Sequence, residues 1–448
     1  MSSAQNSPYA RGVSRRSLFR GAVGLAGVSA LGIPALTACS SSKSSKSSGS
    51  SGGNAGAATG TVTIGSNGSD AVPKKAFADL FAAADTATGL NTTINTVDHN
   101  TFQQNISTYL QGTPDDIFTW FAGYRMQFFA QQGLLHDVND VWDKIGPNFS
   151  DAIKAQSKGL DGKYYFVPDY YYPWGLFYSK SLWSSKGYTA PTTWDDFITL
   201  CKKMKSDGLS PVALGEQDGW PAMGTFDYIN MRANGYQFHI ELMQGKQAWT
   251  DPKVKTTFDH WTELLGYTSP GANGRKWQDA VAMVMNGQAG MCVHGLDQAG
   301  PQFQSAGKSD DLDFFAFPAI DPANAQDAVE APIDGWMMSK KPKNHDGAVK
   351  LLEWLGTATA QNTYLASSPN DVAAASNPDT SKYNALQKKS IDFVSSAKQI
   401  SQFMDRDANP TFVSTVMIPA LQKFIGDPSS ISSQLSAIES QKKTIYAG

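Results

Sequence analysis

The chain has 448 residues and a formal net charge of −3, with 41 % hydrophobic, 17 % charged and 11 % aromatic residues. This composition excludes bulk disorder, and the lack of a basic excess excludes a nucleic-acid partner. Outside the N-terminus no run approaches the ~18–20 apolar residues of a membrane span, and three cysteines are too few for a disulfide framework.

Residues 1–38 contain Arg11, Arg15, Arg16 and Arg20 and no acid, and a weakly apolar run extends from Gly21 to Ala38. A charged stretch followed by an apolar one is the layout of an export signal. Ser14-Arg15-Arg16-Ser17-Leu18-Phe19-Arg20 resembles a twin-arginine export signal, and Leu36-Thr37-Ala38-Cys39 resembles the lipobox of bacterial lipoproteins. That resemblance implies a signal peptide over 1–38, cleavage before Cys39 and lipid on the Cys39 thiol. The protein would then sit on the outer face of the cytoplasmic membrane, attached through the lipid anchor only. From Ser40 to Ser51 nine of twelve residues are serine, and Gly and Ala continue to Gly60. Residues 39–60 therefore read as a flexible tether with a reach of roughly 25 Å. Gly49-Ser50-Ser51-Gly52-Gly53 matches a hydrolase pattern, but no strand precedes it and no helix follows it.

The body alternates strands and helices. Thr61-Val62-Thr63-Ile64 is β-prone, and Phe77, Leu80 and Phe81 have helical spacing. Asn91–Val97 is β-prone again. Phe102, Ile106, Tyr109 and Leu110 mark a second helix, and Ile117-Phe118-Thr119-Trp120 is a third strand. This βαβαβ order predicts a parallel sheet covered by helices, with ligand bound beyond the strand C-termini, at the segments Gly65 to Asp70, His99-Asn100 and Trp120 to Arg125. Val167-Pro168 reads as a strand ended by proline. Leu176-Phe177-Tyr178 begins a second α/β region. Trp194, Phe197, Ile198, Cys201 and Met204 then form a helix capped by Thr193. Pro211–Leu214 and Gly290–Val293 are further strands, and Trp277–Met285 is helical. Two lobes are expected, with the chain crossing near Tyr170–Trp174.

The run Asp161-Gly162-Lys163-Tyr164-Tyr165-Phe166-Val167-Pro168 is followed by Gly175-Leu176-Phe177-Tyr178-Ser179-Lys180 and Pro191-Thr192-Thr193-Trp194-Asp195-Asp196. It resembles the central segment of the extracellular solute-binding proteins of ABC importers, in the sugar-binding group that includes maltose-binding protein. Ser179 stands where that family has Asn, and Asp196 where it has Glu. Asn286-Gly287-Gln288-Ala289-Gly290-Met291 and Asp334-Gly335-Trp336-Met337-Met338-Ser339 also resemble family segments. Asp334 and Trp336 replace smaller residues there. The resemblance implies an α/β fold of two Rossmann-like lobes, joined by crossover strands, with a ligand cleft between them. Lobe 1 would comprise 61–169 with about 331–368, and lobe 2 would comprise 170–330 with about 369–448. It further implies capture of a sugar or oligosaccharide, delivery to ABC permease subunits, no chemical conversion and no cofactor. A monomer is expected.

Sugars offer flat C–H faces and a rim of hydroxyls, so a sugar cleft needs aromatic rings interleaved with carboxylates, amides and guanidinium groups, each paired on closure. Candidates on loops and strand ends are Asn67, Asp70, Trp120, Tyr124, Arg125, Tyr170, Tyr171, Trp174, Trp220, Asp334, Trp336, Asn370, Asp371 and Arg406. Tyr172 reads as structural. Trp142, Trp183, Trp194, Trp249, Trp261, Trp277 and Trp354 sit in or beside helical patterns and read as packing. No metal is expected. Asp405-x-Asp407-x-Asn409 begins like a calcium loop, but Pro410 and Val416 break the pattern, and the six histidines form no ligand pair. Cys201 and Cys292 read as buried thiols, with a bridge between them left open. The alternatives are the same scaffold holding a non-sugar solute, a secreted glycoside hydrolase, or a sensor or adhesion lipoprotein.

Overall fold

The protein is described by a computed structural model covering residues 60–324 and 327–447. The expected signal peptide, Cys39 and the tether up to residue 59 lie outside the described residues. Twelve strands follow in chain order: β1 (Thr61–Ser66), β2 (Asn91–Thr96), β3 (Ile117–Phe121), β4 (Val167–Tyr171), β5 (Trp174–Ser179), β6 (Ser210–Ala213), β7 (Ala289–Gly295), β8 (Leu312–Phe315), β9 (Ala328–Glu330), β10 (Ile333–Met338), β11 (Val372–Ala373) and β12 (Gln399–Ser401).

The first sheet has the order β11-β4-β10-β3-β1-β2. Its β2-β1-β3 half is parallel, as the βαβαβ pattern predicts. Val62 and Ile64 are fully buried in β1, and helices Ala71–Thr88 and His99–Gln111 make the crossovers. The other half is antiparallel, because β10 and β11 return from later in the chain. Val372–Ala373, placed in the second lobe by the sequence reading, is thus an edge strand of the first sheet. The second sheet has the order β6-β7-β5-β8, and helices Trp194–Ser206 and Trp277–Met285 flank it in sequence as expected. Thr193 caps the former through Asp196 N–H.

Apolar side chains on the two faces of the first sheet form two clusters, one around Phe77, Phe81 and Trp336 and one around Phe102, Phe118 and Phe129. A larger cluster surrounds the second sheet and includes Phe403, Met404 and Phe412 from the C-terminal region. Cys201 and Cys292 are both free and buried in it; burial pushes each thiol up to about 12, so both are inert packing groups. Among the described residues no helix is long and apolar enough to cross a membrane.

The chain passes between the sheets in very few residues. Only Tyr172-Pro173 separates β4 from β5, and only Ala331-Pro332 separates β9 from β10. Tyr172 N–H donates to Pro332 O (3.4 Å), and Ala331 N–H donates to Ser401 O (3.0 Å). Gln402 joins them, its Oε1 accepting from Ile333 N–H at 3.0 Å. Three crossings therefore meet side by side.

Pro168 does not end its strand. It lies within β4 opposite Gly335, where the register of the β10–β4 pair shifts. A bulge tolerates the missing N–H of proline. Gly335 is required there, since a Cβ would lie 2.2 Å from Val167 O and 2.9 Å from Pro168 Cα. Both obstacles are backbone, so relief needs strand movement. Gly335→Ala is therefore expected to destabilise the protein by roughly 1–3 kcal/mol, read as a lower denaturation midpoint in urea. An unchanged midpoint would show that the crossing strands yield freely.

Candidate functional site

Arg406 lies where the three crossings meet. It is 6 % exposed, and a buried charge must be paired. Its Nη1 donates to Asp334 Oδ1 at 2.6 Å and its Nη2 to Tyr172 Oη at 2.8 Å. The guanidinium also lies 4.0 Å from the Phe121 ring centroid. Burial works against its charge, but Asp334, Tyr172, Asp405 and Asp297 hold it protonated. Arg125 is the neighbouring cation. Its Nη1 donates to Asp405 Oδ2 (2.7 Å) and Gln103 Oε1 (2.9 Å), and its guanidinium sits over Trp120 at 4.8 Å.

The turn that delivers Arg406 is strained and braced. Phe403 has φ 152°, the only positive φ of a non-glycine among the described residues, and such backbone persists only when its surroundings impose it. The Asp407 carboxylate accepts from Ser401 Oγ (2.8 Å), Gln402 N–H (2.9 Å) and Phe403 N–H (3.4 Å). Buried Asp227 accepts from Met404 N–H at 2.7 Å. Asp407 is thus a brace for the turn.

An aromatic wall faces this polar centre. Trp174 stacks on His294 at 5.4 Å and contacts Phe403 at 4.6 Å. Trp220 meets Trp174 and His294 edge to face at 6.3 and 5.6 Å. Trp277 lies 5.4 Å from His294. Trp174 rests on Gly224, where a Cβ would lie 2.5 Å from its ring. Trp220 Nε1 donates to Asn100 Oδ1 at 3.2 Å, and Gln302 Nε2 donates to Asp70 Oδ2 at 3.1 Å. Each bond ties the second-sheet side to the first.

Two cavities occupy the seam. One, of ≈ 340 Å³ empty volume, is lined by Tyr172, Trp174, Trp220, Phe403, Asp334 and Arg406 among others. The second, of ≈ 540 Å³, adds Asn67, Asp70, Tyr170, Trp277 and Asp297. His99, Gln298 and Asp334 border both.

The seam also holds buried polar atoms without hydrogen-bond partners: Arg406 Nε, Trp174 Nε1, Trp277 Nε1, His294 Nε2, Asp297 Oδ1 and Gln298 Oε1. Buried polar groups are normally paired, so such a concentration of donors and acceptors suits a ligand rich in hydroxyls. Burial holds His294 down at about 3. Its Nδ1 accepts from Gly295 N–H, which leaves Nε2 as a neutral donor turned toward Gln298. Burial, with Arg406 and Arg125 nearby, brings His99 down to about 4. Burial also raises Asp297, Asp334 and Asp371, and each is raised further by other carboxylates. Asp297 and Asp371, raised furthest, are thereby held protonated and can donate as well as accept.

Of the sequence candidates, the seam brings together Asn67, Asp70, Tyr170, Trp174, Trp220, Asp334 and Arg406, with Arg125 just outside. Trp174 is 2 % exposed, so it offers an edge more than a face. Trp120 and Asp371 are buried beneath the seam. Trp336 packs into the core against Phe77 and Phe81, each at 5.3 Å. Tyr171 is held in β4 between β10 and β11. Asn370 bonds Gln304 at 2.7 Å, and Tyr124 starts the helix Tyr124–Gln131. None of these last three borders the two cavities. The sequence reading placed His99 and Phe121 in ligand-facing segments without singling them out; it passed over Gln103, Asp297, Gln298 and Phe403, and it took Tyr172 and Trp277 as structural. Trp277 is the first residue of its helix, a position that can line a wall while its helix packs.

Comparison with known proteins fits this geometry. The family described as bacterial extracellular solute-binding protein matches residues 65–362, more than half of the chain. A probable sugar-binding periplasmic protein of Rhizobium meliloti is 26 % identical over 346 residues, covering 71 % of this chain and 79 % of that protein. An uncharacterized ABC transporter extracellular-binding protein of Pyrococcus horikoshii is 28 % identical over 65 % of each chain. The chain thus spans less than two thirds of that relative's length. Among solved structures, the bacterial solute receptor AcbH, described as having an exclusive substrate preference for β-D-galactopyranose, is 51 % identical. The match covers 86 % of this chain and 99 % of AcbH with a TM-score of 0.85. A chitin oligosaccharide binding protein shares the fold at 22 % identity, with 87 % and 99 % coverage and a TM-score of 0.78.

Two stability measurements test the architecture of the site. Trp174→Ala removes a buried ring packed between His294 and Phe403 and is expected to cost about 3–5 kcal/mol; a loss under about 1 kcal/mol would place the ring outside the core. Asp169, buried in β4 with Asp334 adding repulsion and Trp336 opposing, is raised to about 8, against about 3.9 in an unfolded chain. The folded state therefore keeps a proton that the unfolded state releases. Asp169 favours folding least at high pH, and the loss develops between pH ~4 and ~8 at up to about 1.4 kcal/mol per pH unit. Asp169→Asn should accordingly gain stability relative to wild type from pH 5 to pH 8 in denaturant titrations. An identical difference at both pH values would contradict a protonated Asp169.

Proposed function

The chain belongs to the bacterial extracellular solute-binding protein family, and on that footing we propose that it captures a neutral sugar between two lobes and delivers it unaltered to the permease subunits of an ABC importer. The observation that carries this reading is the pairing of an aromatic wall (Trp220, Trp277, His294) with a rim of unpartnered polar atoms on Arg406, Asp297 and Gln298. Rings cover the C–H faces of a pyranose, and the rim meets its hydroxyls. The likeness to AcbH at 51 % identity supports a monosaccharide of the galactopyranose type.

Lobe 1 is assigned 61–169 with about 331–368 and the added strand β11, and lobe 2 is assigned 170–330 with the rest of the C-terminal region. The protein is exported by the twin-arginine route, carries lipid on Cys39 and acts as a monomer. Binding in one lobe-to-lobe seam lets ligand stabilise the closed form by its differential affinity for the two states.

Isothermal calorimetry with β-D-galactopyranose should give a Kd near micromolar, about −8 kcal/mol. Lack of heat with any monosaccharide of a hexose and pentose panel would overturn the sugar reading. Trp220→Ala should weaken that binding by roughly 30-fold or more with the thermal midpoint little changed, because Trp220 is only partly buried. Undiminished affinity would remove Trp220 from the site. In the native host, Cys39→Ser should shift the protein from the membrane to the soluble fraction; continued membrane retention would exclude the lipid anchor.

A further inference from the structure

Beside the seam lies an outer groove, open to solvent and lined by Asn100, Gln104, Ser107, Asp218, Pro410 and Ser414 among others. Gln103, Trp220 and Asp405 border both this groove and the inner cavity that holds Trp174 and Arg406. They stand between the two spaces.

These residues form a continuous bonded partition. Gln103 Nε2 donates to His99 Nε2 at 2.7 Å, and Gln103 Oε1 accepts from Arg125 Nη1 at 2.9 Å. The same Nη1 reaches Asp405 Oδ2 at 2.7 Å. His99, held at about 4 by burial, is neutral and can accept. Arg125 is fixed from below by the Trp120 and Phe121 rings, 4.8 and 5.2 Å away. Trp220, bound to Asn100, completes the barrier from the opposite lobe. A ligand crossing this line would have to separate Gln103 from two partners and leave half-buried polar groups unpaired, the kind of penalty that discriminates between ligands.

We propose that the His99–Gln103–Arg125–Asp405 partition is a specificity device that limits the ligand to a single pyranose ring, and that the outer groove is the space a second ring would occupy once the partition is breached. This rests on the sugar reading above and adds the length limit and the residues that impose it.

The test is calorimetry on the full exported domain with galactose and with disaccharides that extend galactose from its reducing or its non-reducing end. Wild type should bind galactose at least about 100-fold more tightly than every disaccharide. Gln103→Ala should narrow that ratio at least about tenfold for one of the two extension series. Arg125→Lys, which retains the charge but loses the planar fork, should narrow it less and in the same direction. Wild-type affinity for a disaccharide equal to that for galactose would overturn the proposal whatever the variants do. So would a ratio unchanged in folded Gln103→Ala and Arg125→Lys. Binding of disaccharides but not galactose would overturn the length limit while keeping the sugar reading; binding of no sugar would overturn both.

Discussion

The Arg406 guanidinium is buried at the one place where all three chain crossings run side by side, and its charge can stay there only because Asp334 and Tyr172 accept from it directly. Asp334 comes from β10, Tyr172 from the link between β4 and β5, and Arg406 from the segment after β12. The pair therefore ties together segments more than two hundred residues apart in sequence, Tyr172 and Arg406. Breaking a buried pair of this kind costs about 3–5 kcal/mol, because the abandoned charge remains. The same pair supplies the polar centre of the cavity, with Arg406 Nε left over as a donor. On the proposed reading of the seam as a sugar site, stability of the crossings and ligand recognition draw on one group.

Around that centre the backbone is arranged at some cost. Phe403 is held in strained geometry by Asp407 and by the Asp227 contact to Met404. Gly335 and Pro168 form a bulge that lets β10 and β4 pass closely. These features lie next to the cavity and not at random, which fits strain retained for function. They also give the crossings definite geometry, so that lobe movement would pivot about a few short links.

Much of the fold was legible in the chain. The alternation of Val62 and Ile64, the helical spacing of Phe102, Ile106 and Leu110, and the Thr193 cap each followed from local pattern and were found in place. Local pattern failed where distant pairing decides the outcome. Pro168 signals a strand end unless a partner supplies a bulge, and the partner, Gly335, is far along the chain. His99-Asn100 read as a loop beyond a strand, but Asp98 caps a helix that starts at His99. Trp174 and Trp277 both border the seam cavities, the first more buried and the second more open than local pattern suggests. A strand-end tryptophan can be buried by a later segment, here Phe403, and a helix-start tryptophan can face a cavity formed by the opposite sheet. Asp297 and Gln298 carried no motif at all; only the position of the helix Leu296–Ser305 brings them to the seam.

The most direct test is a crystal structure with β-D-galactopyranose bound. A single pyranose ring should lie at the seam, with hydroxyls within hydrogen-bond distance of Arg406 and Asp297 and a ring face toward Trp220 or Trp277. A sugar seated instead in the outer groove, with Arg406 Nε and Asp297 untouched, would contradict the account.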